Sequence, residues 1–178
     1  MFRRLFRRWQ PTPPTLASVA AYARWAASYP PYAHNPLMQA EQAAMLELLP
    51  PVAALRVLDL ACGTGRYGLL AAERGAAVIA LDNSAAMLAH NTASQKALAS
   101  SEAIPLPAAS VDGVICALAL GHLPRLGPSL NEISRVLRPG GWALVSDFHP
   151  LLYLSGGRRT FTAPDGHTYA VEHHVHLY

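Results

Sequence analysis

Charge is scarce in this chain, at 14% of residues, and it is unevenly laid out. Acids are absent before Glu41, whereas Arg3, Arg4, Arg7, Arg8 and Arg24 all precede it. From residue 41 on, nine basic residues stand against eleven acids. The body is therefore slightly acidic, which argues against a nucleic-acid-binding surface, and the net charge of +3 belongs to the leader. Long apolar runs are also lacking. The longest, "VDGVICALALGHL", falls short of the roughly 18 residues needed to cross a bilayer and reads as a buried strand entering a loop. The N-terminus has no apolar stretch of the kind a secretory signal needs, so a cytoplasmic location is expected. Cysteine is nearly absent. Cys62 and Cys116 each fall in or beside an expected buried strand, which predicts reduced structural thiols rather than a disulfide. With 52% apolar residues in 178, the chain can still bury the core of one domain.

What is present begins with "MFRRLFRRWQ", where Phe2, Leu5, Phe6 and Trp9 fall at helical spacing and arginines fill the other face. Residues 2–9 could lie weakly on an anionic membrane surface, which would make the protein membrane-peripheral. They read equally as a frayed, solubilising terminus, with a short organelle transit segment as a third reading. Residues 11–14 are a linker. A helix is expected over 15–29, stopped by Pro30 and Pro31. A second starts at an Asn35 cap with Pro36 in the first helical position, turns Leu37, Met38, Met45, Leu48 and Leu49 inward, and stops at Pro50 and Pro51. Strands then alternate with helices. Strands are expected over 56–60, 76–82, weakly over 97–99, over 111–118 and over 142–148. Helices are expected over 67–74, 84–93 (with a Ser84 cap) and 129–137, and Pro139, Gly140 and Gly141 form the tight turn before the last strand. Buried parallel strands joined by right-handed helical crossovers make a doubly wound sheet. Such sheets bind ligands beyond their C-terminal strand ends, where the strand order switches. The glycine turn after residue 60, Asp82 and the loop after Cys116 all fall on that edge.

The turn sits in "VLDLACGTGRYG", residues 57–68. Gly63, Gly65 and Gly68 spell G-x-G-x-x-G, which in a dinucleotide fold would cradle a pyrophosphate, with Asp82 on the adenosine ribose. Asp59 argues otherwise. An ionised carboxylate just before the loop suits an ammonium and a sulfonium better than a pyrophosphate, while backbone N–H groups of the turn can meet a carboxylate. The balance leans toward S-adenosylmethionine, with a nicotinamide-dependent oxidoreductase as the enzymatic alternative.

Four ordered blocks between Tyr22 and Pro150 resemble class I S-adenosylmethionine-dependent methyltransferases, in particular the small-molecule branch of the ubiquinone- and menaquinone-biosynthesis type. "VLDLACGTGRYG" is similar to the first motif and "ALDNSAAMLAHN" to the second. "SSEAIPLPAASVDGVICALALGHL" resembles the adenine-loop and fourth-strand block, and "EISRVLRPGGWALVSDFHP" the closing helix, turn and strand. The resemblance implies an α/β fold with a doubly wound, mostly parallel sheet of the Rossmann-like methyltransferase kind. It implies cofactor contacts at Tyr29, Asp59, Ala61, Cys62, Gly63, Gly65, Asp82, Asn83, Met87, Ser100, Ser101 and Ala117, with Asp82 holding both ribose hydroxyls. Ala61 stands where the family commonly has glycine, a change that a negative φ would tolerate. Ser100 stands where the family usually has an aspartate against the adenine amino group, which would reduce adenine affinity or selectivity, and Ser101 would still offer its backbone N–H. No Asn-Pro-Pro-Tyr-type motif follows the fourth strand, so methylation of base or glutamine nitrogens is not indicated.

In this family a further helix and an antiparallel strand pair normally complete the sheet; here they are expected to be lacking. The organisation read from this is a basic leader and linker (1–14), an S-adenosylmethionine-binding core with N-terminal helices (15–150), and a partial substrate-cap hairpin (151–178) around Asp165 and Gly166. The function expected is methyl transfer to oxygen or carbon of a small-molecule acceptor, with a truncated, inactive cofactor-binding domain as the alternative. Oxygen and carbon nucleophiles need a proton removed, which a histidine can do. His122, after the fourth strand, and His149, after the fifth, are the candidates, with Asp147 expected to share a strand face with His149. Tyr22, Trp25, Tyr29, Tyr32 and His34 fall in the segment that relatives fold over the cofactor, where aromatic faces can line a cation or a planar substrate. His173, His174 and His176 would place at most two side chains on one strand face, so a polar edge strand is expected there rather than a metal site.

Overall fold

A buried aspartate is tolerated in the strand "RVLDL" because side chains alternate across a sheet and each face meets different neighbours. In the computed structural model, which describes residues 12–177, Leu58 and Leu60 enter one core cluster with Ile79, Leu81, Val114 and Val136. Val57 enters the opposite cluster with Met45, Val52, Tyr67 and Ile115. Asp59 shares the Val57 face. Each fully buried leucine, isoleucine or valine contributes about 1.5–3 kcal/mol, so the two faces together hold the sheet between its helices.

The elements in chain order are β1 (Thr15–Leu16), α1 (Ser18–Trp25), α2 (Pro36–Leu48), β2 (Arg56–Leu60), α3 (Arg66–Ala72), β3 (Ala77–Asp82), α4 (Ala85–Ala89), β4 (Lys96–Leu98), β5 (Val111–Ala117), α5 (Gly127–Val136), β6 (Leu137–Ser146), α6 (Leu151–Leu154), β7 (Thr160–Thr162) and β8 (Thr168–Val171). Five strands form one sheet in the order β4-β3-β2-β5-β6, and every pairing in it is parallel. The chain runs outward from β2 to β4 and then returns to start β5 on the other side of β2. The switch point therefore lies between β2 and β5, at the end where the glycine turn leaves β2.

The expected α/β architecture is found, and both proposed caps are present. The Asn35 Oδ1 accepts from Met38 N at 2.9 Å ahead of Pro36, and the Ser84 Oγ accepts from Met87 N at 3.3 Å. Several boundaries differ. The helix expected over 15–29 is β1, then α1, then a 3-10 turn at Ala26–Ser28. Thr15 and Leu16 are extended because they pair in parallel with Ala170 and Val171 of β8; long-range pairing overrides local preference. The hairpin β7–β8 is antiparallel, as expected, but with β1 it builds a separate three-stranded sheet. Phe161 and Val171 of that sheet, with Ala163 just after β7, pack against Ala21, Tyr22 and Trp25 of α1. The strand expected for the histidine-rich tail stops at Val171. Beyond it the His174 N–H donates to Gly121 O at 2.7 Å and the His176 Nε2 donates to Leu123 O at 2.9 Å. β6 is longer than expected and takes in Pro139, Gly140 and Gly141, with a register shift opposite Val111 and Gly113. The amphipathic stretch 2–9 lies outside the described residues. Among the described residues no helix is long and apolar enough to cross a membrane.

Candidate active site

The turn after β2 is built almost wholly from internal hydrogen bonds. Cys62 N donates to Leu81 O at 3.0 Å, tying the turn to the end of β3, and Gly65 N donates back to Cys62 O at 2.9 Å. Gly63 N donates to Asp82 Oδ2 at 2.7 Å, and Ser84 N donates to Asp82 Oδ1 at 2.7 Å. Gly68 N donates to Asp59 Oδ2 at 2.8 Å. All three glycine N–H groups of the G-x-G-x-x-G pattern are thus spent inside the protein, two of them on carboxylates, and none of these three is left to meet a ligand carboxylate. Gly68 is close to Asp59 for a steric reason as well: a Cβ there would lie 2.9 Å from Asp59 Oδ2.

Ala61 adopts φ of 56°. The expectation of a negative φ is overturned: this alanine sits in the left-handed region that a glycine occupies at less cost. Asn91, which the sequence reading missed, staples the turn from beyond α4. Its Nδ2 donates to Gly63 O at 3.2 Å and to Cys62 Sγ at 3.3 Å, while its Oδ1 accepts from Ala93 N at 2.8 Å. The turn is also tied to the N-terminal segment, where Thr64 Oγ1 donates to Pro30 O at 3.3 Å. Arg66 pairs with Glu41 of α2 at 2.8 Å, and Ser146 Oγ of β6 donates to the other Glu41 oxygen at 2.6 Å. Neither partner is recognisable without the fold, since 25 and 105 residues separate them from Glu41.

At the strand switch lies a cleft of about 1120 Å³, including its solvent mouth. Its walls include Tyr29, Asp59, Ala61, Cys62, Gly63, Asp82, Asn83, Met87, Ser101, Ala117 and His122 of the expected residues. Three others are off its surface. Gly65 is buried at the cap of α3 with φ of 96°. Ser100 is exposed, its hydroxyl accepting from Glu102 N at 3.1 Å in a local turn, whereas Ser101 is on the wall and hydrogen-bonds the buried Ser129 at 2.8 Å. His149 is exposed, and its Nδ1 accepts from Leu151 N at 3.2 Å at the start of α6. The shared face expected for Asp147 and His149 fails because β6 ends at Ser146; the Asp147 Oδ1 instead accepts from Phe148 N.

Burial pushes the Asp59 carboxyl up to about 7, against the Gly68 N–H and with help from the nearby Asp82 charge. Burial also raises Asp82, and the N–H groups of Gly63 and Ser84 oppose it. His122 is held at both ring nitrogens. Glu172 O, 3.0 Å from Nδ1, can only accept, so Nδ1 carries the proton. Nε2 then accepts from the Tyr22 hydroxyl at 2.9 Å. Burial first, and then the Arg159 charge, push His122 down to about 4; burial pushes the Tyr22 hydroxyl up. Both members of this pair are neutral at neutral pH. Arg159, from the segment before β7, also lines the cleft and was not anticipated from sequence. Trp25 stacks on Phe161 with ring centres 4.7 Å apart, and so belongs to packing. Both cysteines are buried free thiols. His173 stacks on Tyr153, and among the described residues no group of three His, Cys, Asp or Glu side chains could hold a metal.

Sheet order, turn and cleft together define the class of fold: a Rossmann-like, mostly parallel α/β domain of the kind methyltransferases share. Residues 58–145 match the family described as Methyltransferase domain. An uncharacterized methyltransferase of Mycobacterium tuberculosis is 39% identical over 129 residues, covering 70% of this chain and 48% of its own length. The malonyl-[acyl-carrier protein] O-methyltransferase of Enterobacter lignolyticus is also 39% identical over 129 residues, covering 70% of this chain and 51% of its own. The solved S-adenosylmethionine-dependent methyltransferase of Mesorhizobium loti is 34% identical with a TM-score of 0.59, covering 63% of this chain and 55% of that one. The chain spans about half the length of the curated relatives it matches.

Proposed function

We propose that the cleft binds S-adenosylmethionine and that the protein transfers a methyl group to oxygen or carbon of a small-molecule acceptor. The inward-turned glycine N–H groups carry this reading. A pyrophosphate at the turn would meet the Asp59 and Asp82 carboxylates instead of free amides, which disfavours a nicotinamide cofactor. An amine and ribose hydroxyls would meet acceptors. Asp59 fits the ammonium group. Asp82 fits the ribose, because each of its oxygens accepts one backbone N–H and keeps a further lone pair. Met87 and Ala117 supply apolar wall, and Ser101 a polar group on the adenine side.

When bound, S-adenosylmethionine supplies a methyl carbon activated by its sulfonium for in-line displacement. The chain's own contribution is alignment, which can supply several kcal/mol of such a barrier. Tyr22 and Tyr29 offer ring faces and hydroxyls to orient an acceptor beside the cofactor. His122 fixes the Tyr22 hydroxyl by accepting its proton in a hydrogen bond, and Glu172 O fixes His122 in turn. Because His122 is engaged at both nitrogens and titrates near 4, it positions Tyr22 rather than removing protons at neutral pH. An acceptor that is already ionised fits this site, as O-methylation by the malonyl relative would suggest by its name.

Calorimetric titration of the 178-residue chain with S-adenosylmethionine, S-adenosylhomocysteine and NAD tests the reading. Binding of the first two at micromolar levels, with none of NAD, is the expected result. NAD binding, or no adenosyl-ligand binding by a folded chain, would overturn it.

A further inference from the structure

Arg159 has no part in the cofactor contacts above, yet its position is costly. It lies in the cleft wall, its Cζ 5.5 Å from the ring centres of Tyr22 and Trp25 and 5.4 Å from that of Phe148. Its Nη2 donates to the Tyr29 hydroxyl at 3.2 Å. Its Nη1 is buried and has no hydrogen-bond partner among the described residues. Nor does any carboxylate of those residues come within 4.0 Å of the guanidinium. Asp147 senses the charge without pairing with it. A guanidinium cannot shed its proton, and aromatic faces return only part of what burying the charge costs. The planar fork matches a carboxylate with two parallel hydrogen bonds.

We infer that Arg159 is an anion site for the acceptor, and that the acceptor is a small molecule bearing a carboxylate, its body set against the rings of Tyr22 and Tyr29. This rests on the methyl-transfer reading above. Arg159 and its rings lie outside the matched segment 58–145, whereas Asp59, Gly63, Asp82 and Met87 all lie within it. The residues assigned above to the cofactor and the charged end of the cleft come from different parts of the chain; the anion is assigned to the acceptor, and the cofactor's own carboxylate is the competing ligand that the S-adenosylhomocysteine titration separates from it. Nη1 has no exposed surface, so a carboxylate reaches it by displacing a neighbouring side chain.

Benzoate and its uncharged counterpart benzamide are the probes, titrated calorimetrically into the full chain with and without saturating S-adenosylhomocysteine. Benzoate should bind at least about tenfold more tightly than benzamide. Arg159→Gln should abolish that preference and leave S-adenosylhomocysteine affinity within about twofold, while Arg159→Lys should keep part of it. Equal affinities for benzoate and benzamide, or no benzoate binding, would overturn the inference. So would an Arg159→Gln chain that keeps the benzoate preference but loses about tenfold in S-adenosylhomocysteine affinity, which would assign Arg159 to the cofactor. If Arg159→Gln does not fold by circular dichroism, the wild-type pair and Arg159→Lys decide. Failure of the methyl-transfer reading shows separately, as absent S-adenosylhomocysteine binding, because the carboxylate preference is also read without that ligand.

Discussion

An alanine at position 68 would push its Cβ to within 2.9 Å of Asp59 Oδ2, an oxygen already held by the backbone N–H of that same residue. The third glycine of the pattern thus makes room for a carboxylate, where in a dinucleotide fold it would serve helix–strand packing. Gly68→Ala is expected to displace Asp59, to cost about 1–3 kcal/mol of stability, and to weaken S-adenosylhomocysteine binding by about tenfold or more. Thermal unfolding and calorimetry read the two effects; unchanged affinity would separate Asp59 from the cofactor. Asp59 also sets a pH dependence. Its folded-state value of about 7 lies above the ordinary carboxylate value of about 4, so between these the native protein holds a proton that the unfolded chain has lost. The stability this group contributes is full below about pH 4 and is lost as pH rises through about 7. An amine on Asp59 favours its ionised form, so S-adenosylhomocysteine should bind about tenfold more tightly at about pH 8 than at about pH 6, with proton release. Calorimetry in buffers of different ionisation enthalpy measures that release, and an affinity flat with pH would mean that no amine meets Asp59.

Between elements, the Glu41 carboxylate joins α2 to α3 through Arg66 and to β6 through Ser146. The Arg66 and Glu41 side chains are each only 11% exposed, so removing the acid strands a poorly solvated cation. Glu41→Ala should cost about 2–4 kcal/mol, seen as a lower denaturant midpoint that added salt does not mimic in the wild type. Such a link is invisible in sequence, because it depends on which elements the sheet order brings together. The same limit explains what the sequence reading caught and what it lost. Continuous apolar strands, proline stops and the caps at Asn35 and Ser84 are local signals, and they located the β–α alternation and the turn after β2. Ala61's left-handed backbone, Asn91's staple and Arg159's place in the cleft are set by long-range packing. Thr15 and Leu16 read as helix because nothing near them announces β8. His149 read as a site residue because its place after the last strand assumed a strand that continues past Ser146.

For the molecule as a whole, the cleft is shared between two constructions. The parallel sheet supplies the Asp59, Asp82 and glycine-turn side, while α1, packed on the β1-β8-β7 sheet, supplies Tyr22 and Trp25, two of the rings around Arg159. Polar ties between the two include Tyr22 to His122 at 2.9 Å, His122 to Glu172 O at 3.0 Å, Thr64 to Pro30 at 3.3 Å, His174 to Gly121 at 2.7 Å and His176 to Leu123 O at 2.9 Å. Phe161 is the central apolar contact of the smaller unit, 5% exposed and stacked on Trp25. Phe161→Ala should therefore cost about 3–5 kcal/mol within that unit and lower benzoate binding, while S-adenosylhomocysteine affinity stays within about twofold. Parallel titrations of the two ligands measure the split. If both affinities fall together, the units behave as one cooperative body, and the aromatic segment is part of the cofactor site rather than a separate wall that selects the acceptor.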